Sequence, residues 1–305
     1  MTADDAVEYH HQKRAARSSD DAHASLVASA KPIYPLHRKS HQGISSIAIF
    51  RRLICNSAVN EAYQMIQNLR ALLAPTGRLR VGINMANFLL VTGQRPDGTP
   101  DGVSPELARQ IAHKLDVPCD FICFENPGQL ADCVNDNIWD IGNIAVEPAR
   151  AQHIAFTRPY VQIDANFMVH KNDPYRTNAD IDQRGIAIAA YGRSAYDLWL
   201  TSNFANAGMI RTPTIAASHE LFKSGGANVL ASLKSKLLDE IATDSDYRII
   251  EPPFTSVLQA CGVAKTKQTA VAFLNNVIGE LIANGGLQNS LDQHHVTAEL
   301  TLPPR

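Results

Sequence analysis

No apolar run in this 305-residue chain approaches the ~18–20 consecutive residues needed to span a bilayer, so the sequence offers no membrane helix. A dominant charge is also lacking. The 28 Lys and Arg stand against 30 Asp and Glu, a net charge of −2, which removes the electrostatic case for nucleic acid or an acidic membrane surface as partner. Cysteine is sparse, and the five present (Cys55, Cys119, Cys123, Cys133, Cys261) show no metal-ligand spacing. Cys119 and Cys123, four apart in an expected strand, would lie about 13 Å apart at ~3.3 Å per residue, too far to bridge. An odd, unpaired set suits a reducing compartment. A phosphate-cradling loop, a Ser–His–Asp or Cys–His arrangement and metal-spaced histidines are missing as well. No metal and no cofactor is therefore expected.

The N-terminal region lacks apolar periodicity. Residues 1–43 are rich in Asp, Arg, Lys and Ser and hold five of the eleven histidines, scattered through a polar stretch. Residues 1–56 are expected to form a poorly ordered extension. The short apolar run at 44–50 is followed, not preceded, by Arg51 and Arg52, and no small-residue cleavage site fits it. Ile54 is bulky where a lipoprotein signal before Cys55 wants a small residue. No export signal is expected.

What is present is ordinary globular material: 45% hydrophobic and 19% charged residues, enough for one large or two medium domains. Ser57 can cap a helix whose apolar residues (Val59, Tyr63, Ile66, Leu69, Leu72, Leu73) recur at helical spacing, with Pro75-Thr76-Gly77 ending it. Residues 79–83 alternate as a strand leading to Asn84, Asn87 and Phe88. Residues 103–115 form an amphipathic helix with Ser104 as cap and Pro105 in its first turn. A strand at 117–124 and a helix at 128–137 follow. The second half repeats the grammar, with strands at 165–170, 186–190, 209–211, 247–251 and 254–263. A helix follows Tyr191-Gly192-Arg193-Ser194, and 268–283 form a closing helix. Strands alternating with helices argue for α/β layers around a mainly parallel sheet.

The most informative stretch is 139–160, WDIGNIAVEPARAQHIAFTRPY. It reads as a buried strand (140–146), a turn opened by Glu147 and Pro148, and Arg150 just past the strand's end. An arginine there can present its planar fork of donors to a cleft and take a carboxylate in two parallel bonds. The plain alternative is a surface arginine on a solvated turn.

This order of pieces resembles the type II periplasmic solute-binding fold, in particular solute-binding family 3, the polar-amino-acid group. The likeness covers about residues 75–296 and rests on LRVGIN (79–84), GVSPELARQIAHKL (102–115), the 139–160 stretch, GIAIAAYGRSAYDLWL (185–200) and FLNNVIGELIANGGL (273–287). It implies two lobes with a ligand cleft between them: 76–165 plus 254–300 as lobe 1, 166–253 as lobe 2, after an N-terminal helix at 57–75. Hinge crossings would lie near 164–167 and 249–254. It further implies that Arg150 holds the ligand carboxylate, that Asn84, Asn87 and Phe88 meet the ligand, and that Gly142, Asn143 and Ala145 line the cleft. From the second lobe, Tyr191, Arg193 and Ser194 would contribute, Ser194 donating to the carboxylate.

One departure from the family's pattern bears on the ligand. The acid that family members present from a second-lobe strand falls at Leu233, and Asn84 is neutral too, so nothing in this alignment pairs an ammonium. A buried, unpaired ammonium costs several kcal/mol, about 3–5 on breaking a buried pair. The expected ligand is a small organic acid without an α-amine, or one carrying a second anion that reaches Lys234. An enzyme on the same fold, cyclohexadienyl-dehydratase-like, is the alternative. It would need a general acid, for which Asp164, Glu147 and Glu251 are the candidates. Tyr196 and His153 fall near the cleft, where packing roles are expected. A monomer is expected, with an ABC permease as a partner the resemblance implies. The family usually works in the periplasm, whereas the missing signal leaves the cytoplasm open.

Overall fold

The computed structural model describes residues 46–302, with side chains from Asn60 onward. The expectation of poor order for residues 1–45 lies outside the described residues. Helix α1 (Ser46–Leu73) begins at Ser46, ahead of the expected start at Ser57. Residues 46–56 contain neither Pro nor Gly, so nothing in the chain stops the helix there. Its last turn is anchored. Leu73 is fully buried, and the Arg70 guanidinium donates to the Leu115 carbonyl at 2.6 Å and to Asp116 at 2.7 Å.

Strand β1 (Leu79–Asn84) is followed by the short β2 (Gly93–Gln94) and β3 (Pro100–Asp101), then α2 (Val103–Leu115) and β4 (Cys119–Phe124). Next come α3 (Pro127–Asp132), β5 (Ile141–Ala145), β6 (Ile154–Phe156) and β7 (Val161–His170). The second half holds β8 (Ala187–Tyr191), α4 (Ala195–Asn203), β9 (Gly208–Thr212), α5 (Ile215–Lys223) and β10 (Val229–Leu233). It closes with α6 (Lys234–Thr243), β11 (Tyr247–Ala264), α7 (Val271–Ala283) and α8 (Gly286–Gln293). No single helix among the described residues is long and apolar enough to cross a membrane.

The strands join in the order β4-β1-β5-β11-β7-β10-β8-β9, with β6 on β11. β4, β1 and β5 are mutually parallel, as are β10, β8 and β9, while β11 and β7 run antiparallel between the two groups. This is the expected two-lobed α/β fold. The segments 247–251 and 254–263 form one long strand, β11, whose register with β7 breaks between Ile250 and Thr255. Pro252 and Pro253 sit in that gap, where neither can donate an N–H to the ladder.

Two features fix the sheet at the end where β1 and β5 begin. Asp140, with no exposed surface, accepts from the Arg80 guanidinium at 2.9 Å and from Lys267 at 2.8 Å. Burial alone would push that carboxyl up, but the bonds from Arg80 and Lys267 outweigh it and hold it below the usual carboxylate range. Gly82 and Gly142 leave space for Trp139 and Leu130; a Cβ on Gly82 would come within 3.2 Å of the indole. The four cysteines with described side chains, Cys119, Cys123, Cys133 and Cys261, are free thiols.

Candidate functional site

Parallel strands gather their carboxyl ends, and both lobes do so here. Asn84 ends β1, Ala145 ends β5, Tyr191 ends β8 and Leu233 ends β10. All four line one cavity of about 440 Å³ of empty space, together with Ala86, Asn87, Pro127, Arg150, Ser194, Ala195, Tyr196, Ile215, Val257 and Gln259. Such crevices outside the carboxyl ends of strands are where open α/β sheets bind ligands.

Arg150 opens a single turn of 3-10 helix (Arg150–Gln152) right after β5 and is only 6% exposed. Its guanidinium donates to the Ala145 carbonyl at 3.1 Å and, across the cleft, to the Arg193 carbonyl at 3.0 Å. Among the described residues no carboxylate lies within 4 Å of it, so a buried cation faces the cavity with donors to spare. Burial lowers its pKa to about 10, against the pull of Glu147. Glu147 is itself buried, and its carboxyl is pushed up to about 7 by burial, only partly countered by Arg150.

Ser194 caps α4: its Oγ accepts from the Asp197 amide at 3.1 Å, which leaves the hydroxyl proton free for a ligand. Asn84 Oδ1 accepts from the Ala86 amide at 3.2 Å. Asn87 turns its side-chain oxygen into the interior with no hydrogen-bond partner. Tyr191, 6% exposed, walls the cavity from the second lobe.

Five expected site residues stand elsewhere, Gly142 among them, set against Leu130 and Trp139. Asn143 shares a strand face with Ala145 but sits one step deeper, where its amide donates to the Ser104 carbonyl at 2.8 Å and its oxygen accepts from Cys261 at 2.9 Å. Phe88 is outside the lining and stacks beneath the Lys236 ammonium, 4.5 Å from the ring centre. Lys234 pairs with Glu251 at 2.6 Å, and its neighbour Leu233 takes the cavity position. Arg193 contributes its carbonyl, while its side chain crosses to Asp132 in two bonds of 2.6 and 2.9 Å. That side chain lies over Gly128, where a Cβ would come within 2.7 Å of the guanidinium carbon. Beyond it, a second hollow is lined by His153, Asn135 and Leu198 among others.

Other lining residues were not expected. Val257 and Gln259 come from β11, and Gln259 faces the cavity because it pairs with Ala145 in the antiparallel register. Alternation within 254–263 was legible, but which face meets β5 is not written locally. Tyr196, expected to pack, is 3% exposed yet borders the cavity.

Known proteins bear on this geometry. The "Amino-acid-binding protein AabA" of Dichelobacter nodosus is 27% identical over 113 residues, 36% of this chain; the chain spans only 44% of that relative. The crystal structure of amino acid ABC transporter substrate-binding protein AbpA from Streptococcus pneumoniae, bound to L-arginine, superposes with a TM-score of 0.60 at 18% identity, covering 73% of this chain and 96% of that one. The ancestral amino acid-binding protein AncCDT-1, a precursor of cyclohexadienyl dehydratase, gives a TM-score of 0.60 at 17% identity over 74% of this chain and 98% of that one. At such identities the structures establish the fold alone. Residues 79–297 match the pattern of a single family along their whole length, and the chain belongs to the bacterial extracellular solute-binding proteins, family 3.

Proposed function

We propose that this protein binds a small carboxylate without an α-amine in the cavity between its lobes, 76–165 plus 254–300 closing on 166–253. The observation that carries this reading is Arg150, a buried guanidinium with no carboxylate partner among the described residues, at the rim of a cavity whose lining holds neither Asp nor Glu. An anion there would gain charge-assisted bonds in a poorly solvated site. An ammonium would meet Arg150 with no counter-charge. Ser194, Asn84, Asn87, Ala145 and Tyr191 complete the proposed contacts, with Arg193 contributing its carbonyl to Arg150. The hinge falls where β7 and β11 lose register.

The relatives named as amino-acid binders support solute binding of this general kind. The protein would act as a monomer, as the substrate-binding component of an ABC-type system or as a related soluble sensor. A dehydratase reading needs an acid within reach of the substrate. Its three candidates lie outside the lining: Asp164 accepts from Ser256 at 2.7 Å, Glu251 pairs with Lys234, and Glu147 sits behind Arg150 in sequence and beside it in charge. Binding is the reading the cavity favours.

Calorimetric titration with matched panels of carboxylic and amino acids tests the proposal, with prephenate turnover as the enzymatic control. Carboxylates should bind, and Arg150→Gln should weaken them about 100-fold, the order expected on removing a charge-assisted pair. Tight binding of an ordinary α-amino acid would overturn it.

A further inference from the structure

Beside the carboxylate cavity lies the second hollow, about 850 Å³ of empty space that the site described above leaves without a use. Arg150 lines both spaces. Arg193 stands between them. It lines the hollow while its neighbour Ser194 lines the cavity, and on the other lobe Gly128 and Asp132 line the hollow while Pro127 lines the cavity. Arg193 bridges the two lobes along that boundary. Its carbonyl accepts from Arg150 at 3.0 Å, and its guanidinium lies over Gly128 and reaches Asp132 in bonds of 2.6 and 2.9 Å.

The backbone of this bridge is fixed and its side chain is not. Arg193 has a φ of 62°, a left-handed conformation that glycine adopts freely and arginine does not. Its amide donates to Asp197 at 2.7 Å, and Asp197, 2% exposed, also accepts from Arg211 at 2.9 Å, so the turn is held from behind. The Arg193 and Asp132 side chains, by contrast, are 55% and 60% exposed, and such a pair holds its place by a factor of about five at most. A ligand chain that buries two methylenes gains more than that, up to about fourfold for each. Beyond the bridge the chain meets Val134, Ile154 and Leu198, with Asn135 and His153 as polar neighbours. An apolar wall with a few polar groups is the composition of a pocket for a small organic ligand.

We infer that the hollow is an extension subsite for the apolar tail of a carboxylate held at Arg150, and that the Arg193–Asp132 pair is the gate between the cavity and this subsite. The inference rests on the carboxylate reading above and adds where a longer acid goes. An acid short enough for the cavity leaves the pair in place. A longer one runs its chain past Arg150 into the hollow and displaces the Arg193 side chain. The Arg193 carbonyl, fixed by its turn, stays on Arg150. The preferred ligands are therefore acids with an aliphatic or aromatic tail, not the shortest ones.

Isothermal titration with straight-chain acids from propanoate to octanoate, and with 3-phenylpropanoate, tests both parts. In the parent, octanoate should bind at least about tenfold tighter than propanoate. Leu198→Trp, which fills the hollow, should remove that gain while propanoate still binds. Arg193→Gly keeps the carbonyl and suits the left-handed backbone, and it should raise the octanoate-to-propanoate ratio about fivefold further. Arg193→Lys, still able to reach Asp132, should leave the ratio near the parent's. A ratio that Leu198→Trp does not lower overturns the subsite, and a ratio that Arg193→Gly does not raise overturns the gate. Binding of propanoate with no gain for longer acids in either the parent or Arg193→Gly overturns this inference and leaves the carboxylate reading standing. Failure of every acid to bind overturns both.

Discussion

Glu147→Gln is the substitution with the clearest physical signature. The Glu147 carboxyl is buried, accepts no hydrogen bond from a described side chain or amide, and is pushed up from an ordinary 4.5 to about 7. A carboxyl whose folded pKa exceeds its unfolded one holds its proton more tightly in the folded state. Stability is then greatest below the unfolded value and falls as pH rises from 4.5 to 7. The full displacement corresponds to about 3 kcal/mol, and about 2 kcal/mol after allowance for water at its residual exposed edge. Glutamine cannot ionise, so Glu147→Gln should equal the parent near pH 4.5 and exceed it by about 2 kcal/mol at pH 8. Urea unfolding followed by tryptophan fluorescence at a series of pH values measures this directly. Parallel curves for the two proteins, with a constant offset across pH, would refute the reasoning. Binding supplies a second reading of the same charge. Below pH 7 a neutral Glu147 leaves Arg150 to the ligand; above it, the carboxylate competes. Carboxylate affinity should therefore decline above pH 7 in the parent and stay flat in Glu147→Gln.

Two further outcomes are expected. Asp132→Asn removes the charge that holds Arg193 across the cleft; with both side chains more than half exposed the pair is worth at most about 1 kcal/mol. Small-angle scattering should show a more open unliganded protein and calorimetry a roughly two- to fivefold weaker ligand, and an unchanged scattering profile would count against a closing role. Leu233→Asp places a carboxylate at a cavity position, and measurable binding of an α-amino acid that the parent ignores should follow. No gain in circularly monitored, correctly folded protein would show that the missing acid does not set the selectivity.

The extent to which the site was legible follows from where its residues sit on their strands. Arg150, Ser194 and Tyr191 were readable because each lies at or just past the end of a strand whose apolar run announces it. Asn143 was misplaced for a reason of depth. It shares parity with Ala145, and a period of two cannot say which of two same-face residues reaches the mouth and which stays under α2. Lys234 was assigned by charge and Arg193 by its place in the resemblance, yet each side chain pairs with a carboxylate from a distant segment, Glu251 and Asp132. Gln259 left no local mark and Tyr196, placed near the cleft, was expected only to pack, since pairing register and helix rotation set what they face.

The sequence by itself determined the alternation of strands and helices, the family and the arginine at the end of β5, because periodicity, caps and turn residues act over a few positions. Tertiary structure alone decided what meets Arg150 and what does not. It took Lys234 and the Arg193 side chain away to carboxylates, and joined Glu240, His219 and Ser232 from three separate elements. Those meetings depend on long-range register and on burial, where an unpaired charge or hydroxyl is costly enough to dictate its neighbours.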